Sequence, residues 1–265
     1  MTAIFGILNV TQDSFSDGGR YLEPEAAIAH GEALTHDGAV VIDVGAAASN
    51  PNAEALAPQA EIDRLAPVIA GLQSHGIAVS IDSFATPVQA WALTQNVAYL
   101  NDIQGFADPA LYPALAAHTC HLIVMHSVQG RGKAQIQPSD PETIVARVCS
   151  FFEARLQALT RAGIGEARII LDPGMGFFLG EDARCSLNVL KALPKIKAQF
   201  GRPVLISVSR KAFLRSLAGA NLADSGPATL AAELFAARQG ADFIRTHDVK
   251  VLRQGLAIQA ALGDD

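Results

Sequence analysis

Cysteine is scarce in this chain: Cys120, Cys149 and Cys185 are three in number, with no C-x-x-C pair among them. An odd count without that spacing excludes a disulfide framework and a cysteine-based zinc site, and fits a reducing compartment. Basic charge is also in deficit. The formal net charge of −6 argues against a general nucleic-acid binder, which carries a basic surface, so an anionic substrate requires a few cations to converge locally. No apolar run approaches the roughly 18 residues of a membrane span, and strand-like sequence begins directly after Met1 without a basic and apolar leader. The expectation is a cytoplasmic protein without a membrane partner. Aromatic residues are few as well, and Trp91 and the Phe151–Phe152 pair fall where helix packing, not base stacking, accounts for them.

What the chain does have is a series of short apolar runs that end in polar residues. IFGILN ends at Asn9, VVIDV passes through Asp43, AVSID ends at Asp82, and AYLND ends at Asn101 and Asp102. HLIVM is followed by His126, RIILD ends at Asp172, VLISVSRK reaches Ser209 and Lys211, and DFIRTH reaches Arg245 and His247. Strands that repeatedly finish in chemistry-bearing side chains describe a barrel whose active site lies on its C-terminal face. At 265 residues and 50% apolar composition the chain has the length and the core for a single (β/α)₈ TIM barrel occupying 1–265.

Helical periodicity fills the intervals, at about 24–37, 58–74, 87–96, 109–118, 141–162, 184–199, 226–239 and 249–262. Thr86, Pro87 and Gln89 read as an N-cap, a first-turn proline and the return partner of a capping box. Gly163, Gly201 and Gly240 stand where helices want a left-handed C-terminal residue. Three connections, Thr11–Tyr21, Ala46–Pro58 and Gln129–Pro141, are longer than simple turns and overhang the presumed site.

Asp82, Asn101 and Asp172 share that mouth. Two carboxylates and an amide match a flat heterocycle with alternating donors and acceptors, such as a 2-amino-4-oxo pyrimidine ring; the alternative is that each caps the turn that follows. Lys211, Arg245 and His247 come from the loops after strands 7 and 8, where barrels often bind phosphate, or else they form structural salt bridges. Arg245 and His247 face one side if the strand continues through Thr246. Asn9, next to Asp13 and Asp17, can hold magnesium together with substrate phosphates, or can form an Asx-type turn. His30, His36 and His75 read as surface groups, and His126 as a residue supporting the site from behind.

Taken in order, FGILNVTQDSFSDGG, VSIDS, YLNDIQG, LIVMHS, ILDPGMGF, SVSRK and RTHD resemble the dihydropteroate synthases, the pterin-binding barrels of folate biosynthesis, over essentially the whole chain. The resemblance implies condensation of 6-hydroxymethyl-7,8-dihydropterin diphosphate with 4-aminobenzoate. It implies that Asp82, Asn101, Asp172 and Lys211 hold the pterin. Asn9, Arg245 and His247 would hold the diphosphate and its magnesium, with Asn9 as metal ligand, and Ser209 and Phe177 would border the aminobenzoate. A homodimer is implied too, and the apolar face of the last helix is compatible with one.

The chain departs from the family pattern twice. Where the family usually reads G-G-E-S-T-R-P-G, this sequence has Gly45-Ala46-Ala47-Ala48-Ser49-Asn50-Pro51-Asn52, so the loop arginine is missing. After D-P-G, the bulky Phe178 follows Phe177 where glycine is common. Both features, with the S-V-S-R-K spelling, resemble the sulfonamide-tolerant branch, and Phe178 or Ser49–Asn50 is then the element that excludes the drug. Two rivals remain at this stage: a catalytically silent pterin-binding protein, and a barrel that transfers methyl from methyltetrahydrofolate to a corrinoid protein, which has no need of the diphosphate cluster.

Overall fold

The computed structural model describes residues 2–10, 24–47, 56–129 and 138–263. Strands and helices alternate through it: β1 (Ala3–Asn9), α1 (Pro24–Asp37), β2 (Val41–Gly45), α2 (Pro58–Ser74), β3 (Val79–Asp82), α3 (Thr86–Thr94), β4 (Tyr99–Asp102) and α4 (Tyr112–Ala117). Next come β5 (His121–Met125), α5 (Ile144–Arg161), β6 (Ile169–Asp172), α6 (Ala183–Lys191), α7 (Leu193–Phe200), β7 (Leu205–Ile206), α8 (Ala212–Ala218), α9 (Gly226–Arg238), β8 (Phe243–Thr246) and α10 (Val249–Leu262). The strands are parallel in the order β6-β5-β4-β3-β2-β1-β8-β7. A bridge between Leu171 and Val204, with Leu171 N–H donating to Pro203 O at 2.9 Å, joins the two ends and closes the barrel.

The expected helices form, with three differences. The capping box at α3 does not: Ala85 is the N-cap, Thr86 Oγ1 donates to Asp108 Oδ2 at 2.8 Å, and Gln89 Nε2 donates to Ser83 O. A long-range acceptor has drawn the Thr86 hydroxyl away from its local role. The span expected as one helix over 184–199 breaks into α6 and α7 at Ala192, because Pro194 in the first turn of α7 has no N–H to continue the ladder. A short helix, α8, follows Lys211 in what the sequence left as loop. Gly163, Gly201 and Gly240 do take positive φ, at 85°, 59° and 89°.

Two of the three apolar clusters form the body of the fold. The larger packs the helices onto the outside of the barrel; α5, for example, turns Ile144, Val148, Cys149, Phe152 and Leu159 inward along one stripe. The smaller lies inside the barrel. It gathers Phe5, Val41, Ala78, Tyr99, Ile123, Ile170, Leu205 and Phe243, one residue from, or next to, each of the eight strands. Phe5 meets Tyr99 and Phe243 edge-on at 5.0 and 5.3 Å, a geometry worth about 0.5–1.5 kcal/mol per pair beyond burial. This ring closes the barrel below the mouth.

Candidate active site

Side chains along a strand return to the same face every second residue. Two positions beyond the apolar ring the eight interior residues are therefore Ile7, Asp43, Ser80, Asn101, Met125, Asp172, Ser207 and Arg245, six of them polar. The change from apolar to polar inside one barrel marks the floor of the site. Another two positions along β1, β3 and β8 come Asn9, Asp82 and His247.

Asp43 sits at the centre of the floor, with no solvent exposure. Its Oδ2 accepts from Arg245 Nε and, at 3.2 Å, from Asn101 Nδ2. Arg245 Nη2 donates to Asp82 Oδ2 at 2.6 Å. Asp43 Oδ1 and Asn101 Oδ1 are buried acceptors with no partner among the described residues. Such groups are costly unless something donates to them. The sequence named Asp43 only as part of a strand run; its spacing of two from Val41 is the signal that places it inside.

Burial pushes the Asp82 carboxyl up, against the pull of Arg245 and with the push of Asp43. Asp172 is likewise raised to about 6 by burial, opposed by the Gly174 N–H and then by Lys211. Lys211 is lowered by burial and by Arg245, while Asp172 and Asp82 favour its charged form. Arg245 is raised, because Asp43 and Asp82 outweigh the effect of burial. The pterin and diphosphate candidates thus form one electrostatic unit. The two separate clusters read from sequence are joined by Arg245, which does make the salt bridges weighed as its alternative.

The loop after β6 is built around Asp172. Its Oδ1 accepts from Gly174 N at 2.8 Å, and Gly174 has φ +74° with an added Cβ falling 2.4 Å from His126 O, so only glycine fits. His126 supports this loop from behind, as expected: it is buried, with Nδ1 donating to Pro173 O at 3.2 Å, and burial lowers it to about 4, which keeps it neutral. Phe178 is buried with Ile103 and Met125, and Lys211 Nζ lies 5.2 Å from its ring centre. Phe177 is half-buried and borders a cavity of about 310 Å³ with Gly176, Ala212 and Phe213.

On the other side of the mouth Ser209 Oγ lies 2.9 Å from His247 Nδ1. Burial, then Arg210 and Arg245, lowers His247 to about 3, so its ring is neutral at physiological pH. Asn9 is exposed at the end of β1. Ser49, Asn50, Asp13 and Asp17 lie outside the described residues. Asp102 is a turn-former: its carboxylate accepts from Gln104 N and Phe106 N at 2.7 and 2.8 Å. His30, His36 and His75 are on the surface, and Trp91 and Phe152 pack into the helical shell.

The pterin binding enzyme family matches residues 5–247. The chain belongs to that family. It is 54% identical over 259 residues to the Escherichia coli protein named dihydropteroate synthase type-2, covering 98% of this chain and 95% of the relative. A solved structure of Xanthomonas albilineans dihydropteroate synthase with 4-aminobenzoic acid superposes with a TM-score of 0.90 at 33% identity, covering 98% of this chain and 93% of that one. The Anaplasma phagocytophilum synthase, with bound 6-hydroxymethylpterin-monophosphate, gives a TM-score of 0.85 at 34% identity, with 99% of each chain covered.

Proposed function

We propose that this chain is a dihydropteroate synthase, condensing 6-hydroxymethyl-7,8-dihydropterin diphosphate with 4-aminobenzoate to give 7,8-dihydropteroate and diphosphate. One observation carries the reading: two orphaned acceptors, Asp43 Oδ1 and Asn101 Oδ1, lie on the barrel floor beside Asp172. The N–H groups of a 2-amino-4-oxo pterin edge would satisfy them. Asp82, Asn101, Asp172 and Lys211 orient the ring, and the carboxylates favour positive charge on it.

In the reaction the bond between the pterin methylene and the diphosphate oxygen breaks, the leaving group taking the electron pair. The aniline lone pair then forms the new C–N bond and the nitrogen releases its proton to solvent. Because a neutral aniline attacks, no dedicated base is needed. Charge builds on the leaving oxygen, and stabilising it is the protein's main task. Arg245 contributes a fork pre-oriented by Asp43 and Asp82, and neutral His247 contributes an N–H. Ser209 and Phe177 border the aminobenzoate.

Asn9 fits magnesium, since an exposed amide oxygen at the mouth is a hard donor and this ion usually takes one or two protein oxygens plus substrate phosphates. When bound, it would neutralise part of the diphosphate charge. The same reading includes a single barrel domain over 1–265, sulfonamide tolerance through Phe178 or Ser49–Asn50, cytoplasmic location, and a homodimer formed through α10, where Val251, Ile258 and Leu262 are exposed.

The test is diphosphate release with each substrate alone and with both. Sustained diphosphate release with formation of dihydropteroate when both are present supports the synthase; binding of pterin without turnover identifies a silent binder, and methyl transfer from methyltetrahydrofolate identifies the methyltransferase-like rival.

A further inference from the structure

One stripe of α5 carries Arg147, Phe151 and Arg155 at a spacing of four, which puts all three on one side of the helix. All three reach the segments that follow β4 and β5 at the barrel mouth. Arg147 Nη2 donates to Val128 O at 2.5 Å. The Phe151 ring lies edge-on to His126 at 5.2 Å and covers Gly105, where an added Cβ would fall 2.7 Å from Phe151 Cζ. Arg155 Nη1 donates to Phe106 O at 3.1 Å and to Tyr112 OH at 3.0 Å, and Tyr112 OH donates to the same Phe106 O at 3.0 Å.

The turn that receives Arg155 is strained. Phe106 is buried with φ +58°, a conformation that a residue with a Cβ keeps only where its surroundings over-determine it. From inside, Asp102 closes the turn: its carboxylate accepts from Gln104 N and Phe106 N, and its carbonyl accepts from Gly105 N at 2.9 Å. From outside, Phe106 O meets two donors, one from α4 and one from α5. Burial raises the Asp102 carboxyl, while Gln104, Gln89, Phe106 and then the charge of Arg155 favour the ionised form that the turn needs.

Resting on the placement of the pterin against Asn101, we propose that Arg155 is a positioning residue: with Tyr112 it holds the Phe106 turn in its left-handed form, and so fixes Asn101 and Ile103 as floor and wall of the pterin pocket. Tyr99, Asn101 and Ile103 follow one another at intervals of two, so Ile103 continues the inward row above the floor. Its side chain is buried with Met125 and Phe178. Because Ile103 lies inside the turn that Asp102 closes, it moves with Phe106. Without both donors Phe106 O would be buried and unpaired, and a turn already strained relieves that cost by relaxing. Relaxation carries Ile103 away from Phe178 and shifts the backbone that presents Asn101 Oδ1.

The experiment measures 6-hydroxymethylpterin binding by calorimetry, KM for both substrates, and methyl NMR of isoleucine-labelled full-length protein, on the wild type, Arg155→Met, Tyr112→Phe, the double variant and Arg155→Lys. The double variant should bind the pterin at least about tenfold more weakly, some 1.4 kcal/mol, with each single variant in between. The Ile103 methyl should lose its contact with the Phe178 ring in step. KM for the pterin diphosphate should rise, with KM for aminobenzoate unchanged. Because one nitrogen of Arg155 makes both bonds, the ammonium of Arg155→Lys should recover most of the affinity. If the double variant does not fold, the single variants, each of which leaves Phe106 O one donor, carry the test. Unchanged pterin affinity in the folded variants, equal rises in both KM values, or weakened pterin with the Ile103–Phe178 contact intact overturns the inference while leaving the synthase reading standing. If the wild type itself does not bind the pterin, the placement against Asn101 fails, and the inference and the synthase reading fail together.

Discussion

Arg245 and Asp82 are 163 positions apart in the chain, yet Nη2 of the one lies 2.6 Å from Oδ2 of the other across the barrel mouth. Because Arg245 also donates to the wholly buried Asp43, it couples the residues proposed to hold the pterin with those proposed to hold the diphosphate. A change at this guanidinium cannot be confined to one ligand.

Arg245→Ala is accordingly expected to weaken both the diphosphate-bearing substrate and a pterin lacking diphosphate, and to cost about 3 kcal/mol or more of stability by leaving buried carboxylates unpaired. His247→Ala should weaken only the diphosphate-bearing ligand. Calorimetry with the two ligands and chemical denaturation check this; selective loss of the diphosphate ligand in Arg245→Ala would contradict the coupling.

Asp172 links stability to pH. Burial raises its carboxyl from an ordinary 3.8 to about 6, so between those values the folded chain keeps a proton that the unfolded chain has lost. Its contribution is present below about pH 4 and is lost as pH rises through about 6, a change of about 3 kcal/mol. Asp172→Asn should flatten that part of the stability curve while retaining the acceptor for Gly174 N. It should also weaken pterin binding, because the amide presents a donor where ring N–H groups need an acceptor. Denaturation midpoints from about pH 4 to 7 that decline equally in both proteins would rule out Asp172 as the source.

Turnover is expected to need magnesium and to stop on chelation, with Asn9→Ala raising the metal concentration for half-maximal rate. Full activity in excess chelator would remove the metal from the reaction.

Phe178 reaches the mouth indirectly. Its ring is buried against Ile103 and Met125 beneath the Lys211 ammonium, with Phe177 packed against the same cluster, so we propose that its bulk acts through the placement of Phe177. Phe178→Gly should lower the sulfonamide inhibition constant at least about tenfold, some 1.4 kcal/mol, while changing the aminobenzoate KM less. It should also reduce stability by about 3–5 kcal/mol, as truncation of a buried phenylalanine does. A folded, active variant with unaltered drug sensitivity would move the discriminating element to another residue, with Ser49–Asn50 the first to test.

The alternation of apolar runs with helical stretches was enough to predict eight strands and a C-terminal mouth, because strand and helix periods are local properties of the chain. The inward placement of Asn101, Asp172, Arg245 and His247 was legible for the same reason: a side chain's face follows from its position modulo two. Local pattern misled at Thr86, whose hydroxyl serves Asp108 instead of its own helix, and it left α8 out altogether.

Tertiary structure alone decided which charges meet. Sequence placed Arg245 with phosphate and Asp82 with pterin, but closing a barrel brings β2, β3 and β8 around one axis, where an arginine on one strand reaches carboxylates on two others. It also decided that Glu233 is buried, since nothing in a 13-residue helical segment says which strand it will cover. Periodicity depends on neighbours a few positions away, whereas ion pairs and burial depend on distances that exist only after the chain has closed on itself.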